Sequence, residues 1–209
     1  MPKIRGVFFD WGGVIIENPA PGMAKVIANT WGVDFKSMGG LPLELLDLFQ
    51  RGEIEEGDFW NAVGEYYSIS VPSAVKEGLW GKAFDEVYVE INPTLDWATK
   101  LQDTGIQTGV LSNTELPAVE LFESQNYSCF EHLVFSCECG VSKPNADIYH
   151  FAAEQMNLPP SEILFLDDKP ENVAAARKTG MHGVLFQNFQ DAIQQVLEID
   201  EELVGDGIG

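Results

Sequence analysis

The chain has 209 residues, 45% of them apolar and 22% charged, an ordinary globular mixture sufficient for one substantial domain, or for a core carrying a small inserted subdomain. Acidic residues outnumber basic ones 33 to 12, and the net charge of −21 sets up a field that repels a nucleic-acid duplex or an anionic membrane surface. Neither is therefore expected as a partner. The short acidic clusters at Glu53-Glu55-Glu56-Asp58 and Glu198-Asp200-Glu201-Glu202 read as solvated surface, with high-salt adaptation the sharper alternative. No basic segment followed by a long apolar stretch comes after Met1, so neither a signal peptide nor a membrane span is expected, which places the chain in the cytoplasm. Cys129, Cys137 and Cys139 lack the paired spacing of a zinc site or a disulfide framework and read as reduced thiols.

In chain order, the strand-like runs are Ile4–Phe9, Thr108–Leu111, His132–Phe135, Ile163–Leu166 and Gly183–Phe186. Helix-like stretches fall near 94–104, 115–126, 146–156, 170–179 and 189–203. This alternation predicts an α/β fold with a largely parallel sheet. Residues 17–90 break it. They carry amphipathic helical segments at 20–32, 42–51, 55–67 and 72–80 and no convincing strand, with Pro19, Pro21, Gly39-Gly40 and Pro42 as punctuation. They read as a helical cap inserted in a core made of 1–16 and 91–209. Trp31, Phe49, Phe59, Trp60, Tyr66 and Trp80 are then mostly the cap's own small core, and Glu53, Trp60 and Tyr66 are candidates to line a pocket.

Ligands of an open parallel sheet bind beyond the carboxyl ends of its strands. The first strand ends in Asp10-Trp11-Gly12-Gly13, where a carboxylate held by a buried run suits a nucleophile or a metal ligand. The second ends in Leu111-Ser112-Asn113-Thr114, a hydroxyl and backbone N–H groups at a helix start that form an anion cradle, or merely cap that helix. Lys143, fixed by Pro144 and Asn145, is placed to neutralise a phosphate in a chain with few cations. The fourth ends in Phe165-Leu166-Asp167-Asp168, adjacent carboxylates whose repulsion a hard divalent cation offsets, unless one of them simply caps the next helix.

In order and spacing, these four motifs resemble those of the haloacid dehalogenase-like (HAD) hydrolase superfamily. They look closest to the branch holding sugar-1-phosphate phosphatases and the phosphatase domain of soluble epoxide hydrolases. The resemblance implies a Rossmann-like parallel core with a small C1-type helical cap. It implies a phosphatase in which Asp10 attacks phosphorus and forms an aspartyl-phosphate. Ser112 and Asn113 would hold phosphoryl oxygens, and Lys143 would pair with them and with Asp10. Mg²⁺ would be held by Asp168, Asp10 and the Gly12 carbonyl, with Asp167 acting through water or behind the ligands. The substrate would be a small phosphorylated metabolite.

One position departs from the pattern. Phosphatases of the superfamily carry a second Asp two residues after the nucleophile as general acid and base, and here that position is Gly12. Such help is worth on the order of 10²–10⁴ in rate, so an activated ester such as a sugar 1-phosphate, whose leaving group needs little protonation, is the preferred substrate. A metal-free 2-haloacid dehalogenase and a non-catalytic phosphometabolite- or protein-binding protein are the alternatives. Oligomeric state is open.

Overall fold

Five short segments are apolar on both faces, and the sheet they form is sealed on both sides. In the computed structural model, which describes residues 3–34, 40–76 and 78–204, they are β1 (Gly6–Phe9), β2 (Gln107–Ser112), β3 (His132–Phe135), β4 (Ile163–Asp167) and β5 (His182–Leu185). All pair in parallel, in the order β3-β2-β1-β4-β5. Near-continuous burial along β1, β2 and β4 is what a two-sided parallel sheet demands. Successive side chains point to opposite faces, and the core divides accordingly. Val7 and Phe9 pack with Trp97, Val110 and Leu164 on one side, while Phe8 packs with Leu111, Tyr149 and Phe165 on the other. Because β1 sits centrally and the order reverses there, a crevice opens at the carboxyl ends of β1, β2 and β4.

Between β1 and the first core helix the chain forms α1 (Ala20–Trp31), α2 (Leu43–Gln50), α3 (Glu56–Tyr67) and α4 (Leu79–Glu86). Gly39 lies outside the described residues. The segments entering and leaving this cap run side by side: Glu17 N–H donates to the Val89 carbonyl and Ile91 N–H to that of Ile15, both at 2.8 Å. The remaining helices are α5 (Asn92–Asp103), α6 (Leu116–Ser124), the single turn α7 (Ser136–Cys139), α8 (Ala146–Met156), α9 (Pro170–Lys178) and α10 (Phe189–Ile199). Asn145 and Asn188 cap α8 and α10, each accepting a backbone N–H at 3.0 Å, which satisfies one of the open donors of the first turn.

Three expectations change. The stretch 72–80 is not one helix: Ser73–Lys76 is a 3-10 turn, and α4 starts after Gly78, whose φ of 75° few other residues tolerate. Leu79, Trp80, Ala83 and Phe84 then place the apolar stripe of α4 further along the chain than expected. The expected 189–203 helix stops at Ile199, because the Asp200 carboxylate caps a separate 3-10 turn and accepts the Ile4 N–H at 3.1 Å. Finally, the cap aromatics do not form a separate core. Phe49, Phe59, Trp60 and Trp80 pack edge and face, but the cluster runs into the main core through Trp11 stacked on Phe84 at 4.7 Å. Tyr66 is exposed, with only Tyr67 against its ring.

Candidate active site

Asp10 follows directly on the end of β1, where its N–H continues the ladder to the Leu166 carbonyl at 2.8 Å. Its Oδ1 accepts from Trp11 N–H at 2.7 Å and from the Lys143 ammonium at 2.9 Å. Its Oδ2 accepts no hydrogen bond from the described residues. The Lys143 ammonium also donates to Asp167 Oδ2 at 2.7 Å and to the Leu111 carbonyl at 2.8 Å. An ammonium has three protons, so all of its donors are engaged within the protein. Lys143 is held by Asn113: the Asn113 amide accepts the Lys143 N–H at 2.7 Å and donates to the Lys143 carbonyl at 2.8 Å. Asn113 is thus not a helix cap, and neither is Thr114, whose N–H donates to Ser136 Oγ.

The adjacent carboxylates have different surroundings. Asp167 is fully buried and saturated, Oδ1 by Lys169 N–H at 2.8 Å and Oδ2 by Lys143, with the Asn172 amide shared between both oxygens. It does not cap α9, since the N–H it takes is that of Lys169, the residue before the helix, and its other oxygen pairs with Lys143. Asp168 Oδ1 is buried with no partner at all. One oxygen from each of Asp10, Asp167 and Asp168 lies within 4.8 Å of the other two. A buried orphan carboxylate oxygen within such a cluster is the kind of donor a hard cation takes up. Gly13 makes room for it: with φ at 89°, a Cβ there would stand 2.5 Å from Asp168 Oδ2.

Burial pushes the Asp10 carboxyl up to about 6, against the pull of Lys143. Burial would lower the Lys143 ammonium, but the charges of Asp10 and Asp167 outweigh it and raise it. Burial, followed by the Asp167 charge, raises Asp168 as well.

Asp10, Gly12, Ser112, Asn113, Lys143 and Lys169 border one cavity of about 180 Å³, whose far wall is cap: Met23, Ile27, Leu46, Trp80 and Phe84. Of the three cap candidates, Trp60 is fully buried, Glu53 pairs with Arg51 at 2.9 Å, and none borders the cavity. Sequence reasoning gave no role to Glu115, Gln50, Asn172 or Lys169. Glu115 is buried at the seam between cap and core and accepts from Gln50 Nε2 and Trp80 Nε1, both at 2.8 Å. Burial pushes its carboxyl up to about 7, those hydrogen bonds opposing. A polar residue directly after the β2 motif was the available signal for Glu115. Asn172, five residues after Asp167, had its spacing as a signal, and Gln50 had none.

A five-stranded parallel sheet with an inserted helical cap and a carboxylate cluster at its switch point is a Rossmann-like α/β architecture with its ligand site at the strand ends. The family model for haloacid dehalogenase-like hydrolases matches residues 4–180, and the chain belongs to that family. It is similar to the sesquiterpene phosphatase astK of Aspergillus oryzae, 26% identical over 96% of this chain and 97% of that protein. It is also 21% identical to the drimenol cyclase drtB of Aspergillus calidoustus over 94% of this chain, but spans only 36% of that protein's length. Among solved structures, a HAD family enzyme of Bacteroides thetaiotaomicron in complex with magnesium and inorganic phosphate matches with a TM-score of 0.71 at 20% identity, covering 87% of this chain and 93% of that one. That likeness concerns the fold. No helix among the described residues is long and apolar enough to cross a membrane.

Proposed function

We propose that the chain is a Mg²⁺-dependent phosphomonoesterase working through Asp10, with a core of 1–16 and 91–209 and a cap of 17–90. The observation that carries the reading is the pair of free oxygens, Asp10 Oδ2 and buried Asp168 Oδ1, beside a lysine locked in place. Asp10 and Asp168 would hold the cation, with the Gly12 carbonyl and waters completing its shell, and Asp167 standing behind Lys143 rather than on the metal. The cation supplies neutralisation of the phosphoryl charge. Lys143 and the Trp11 N–H keep Asp10 ionised and aimed, so that its carboxylate would attack phosphorus and form the aspartyl-phosphate. Ser112 and the backbone N–H of Asn113 face the phosphoryl oxygens from the end of β2, a placement whose value is mostly orientation. The unpartnered Asp168 oxygen weighs against a metal-free dehalogenase, which has no use for it.

For the organic part of the substrate, the cavity favours an apolar alcohol over the sugar 1-phosphate expected from Gly12. Gln50 and Trp80 both donate to Glu115, and apart from Asn18 the other cap residues on the cavity wall are apolar. A sugar hydroxyl buried there unpaired costs on the order of 1–3 kcal/mol, whereas each buried CH₂ contributes about 0.8 kcal/mol. The relationship to a protein named as a sesquiterpene phosphatase points the same way. Phosphate release from p-nitrophenyl phosphate, an isoprenyl monophosphate and glucose 1-phosphate, with Mg²⁺ or EDTA, tests the reading. Release should require Mg²⁺, vanish in Asp10→Asn, and be fastest for the isoprenyl ester among the two metabolites. Chloride release from a 2-haloacid in EDTA, without phosphatase activity, refutes it.

A further inference from the structure

The cation that meets the substrate's ester oxygen is the open question at this site. Lys143 is the obvious positive charge, but its three protons are taken by Asp10, Asp167 and the Leu111 carbonyl. It cannot turn to a substrate without abandoning one of them. Gly12 offers no side chain, and one there would crowd Pro19, whose Cδ would sit 3.1 Å from a Cβ. Lys169 is the other lysine bordering the cavity. Its backbone is anchored by the hydrogen bond to Asp167 Oδ1, and α9 begins at the next residue, so its Cα is fixed while its side chain is exposed. Among the described residues no carboxylate lies within ion-pairing distance of its ammonium, in a chain with 33 acidic residues.

Resting on the phosphomonoesterase reading, we propose that Lys169 is a catalytic residue that donates a charge-assisted hydrogen bond to the leaving-group oxygen, in place of the acid missing at Gly12. As the Asp10 carboxylate bonds to phosphorus, the ester P–O bond breaks and its electron pair goes to the alcohol oxygen. The Lys169 ammonium stabilises that charge, and the oxygen takes its proton from water at the cavity mouth. An ester bound in line with Asp10 points its oxygen away from the sheet into the cavity that Lys169 borders.

The test compares wild type, Lys169→Ala and Lys169→Arg on esters of falling leaving-group quality, from p-nitrophenyl phosphate to a simple alkyl phosphate. The affinity for inorganic phosphate is measured alongside by calorimetry. Lys169→Ala should lower kcat for the alkyl ester by roughly 10- to 100-fold, the range for one charge-assisted hydrogen bond lost in the transition state. It should change the p-nitrophenyl rate less than about threefold and leave phosphate affinity intact, with Lys169→Arg recovering most of the alkyl rate. Equal losses on both esters with weakened phosphate binding make Lys169 a phosphoryl-binding cation and overturn the proposal, as does no change in either. A wild type that releases no phosphate from any ester overturns the hydrolase reading and this one together.

Discussion

Glu115→Gln isolates the cost of a carboxylate buried between cap and core. In the unfolded chain this group ionises near 4.5, whereas burial in the native state holds its proton to about 7. Below the lower value both states are neutral and the site costs nothing. As the pH rises through that window, the unfolded chain gives up the proton first, so native stability falls; above about 7 the full penalty of the buried charge is present. The gap between the two values corresponds to about 3 kcal/mol. Glutamine removes the charge and keeps the geometry: its oxygen accepts from one donor, and its amide donates to Gln50 after an amide flip. Urea unfolding of both proteins from pH 4.5 to 8 gives the comparison, and the many other carboxylates cancel in the difference. The variant should be level with wild type or slightly weaker at pH 4.5, and should gain about 3 kcal/mol on it by pH 8. A difference independent of pH would refute the argument and would mean that the seam admits enough water to keep Glu115 ordinary.

Two further outcomes follow from single atoms. Mg²⁺ at 100 times its dissociation constant should stabilise the wild type by about 2.7 kcal/mol, read as a rise in thermal midpoint, and should do far less for Asp168→Asn; equal rises would mean that the cation sits elsewhere. Gly12→Asp should help esters with poor leaving groups only weakly, because its Cβ lies 3.1 Å from Pro19 Cδ, and should help them more when combined with Pro19→Ala. Identical profiles for the single and double variants would remove the steric account of the glycine.

Much of the sheet was legible because two-sided burial writes itself as short apolar runs, and the strand expected at His132–Phe135 is found with those limits. So was α8, whose Asn145 cap and 3.6-residue stripe are local signals. The cap was legible as helical but not in detail. The start of α4 depends on Gly78 in a left-handed turn, and the inward face of α3 depends on which neighbours arrive, which no period reveals. At the site, strand ends named the chemistry-bearing positions, since topology converges them whatever the loops do. Partnership was illegible. That Asn113 binds Lys143 backbone rather than capping α6, and that Asp167 is saturated while Asp168 is not, are consequences of side chains meeting across 30 residues or turning away from neighbours one residue apart.

The charge imbalance acquires a meaning once the cavity is known. A net charge of −21 repels an incoming phosphate ester and attracts divalent cations by the same field. With Lys143 paired to two carboxylates, Asp10, Asp167 and Asp168 outnumber the two lysines, Lys143 and Lys169, that border the cavity. On the proposed reading, a cation that enters first would relieve this repulsion, so the metal would supply attraction as well as chemistry. An apolar alcohol suits this arrangement better than a polar one. Its association free energy comes from the hydrocarbon wall of the cap, which the field does not touch, while the phosphate is left to be balanced locally. Added salt should therefore ease substrate entry by screening the surface, and at the same time loosen the cation on which that entry depends.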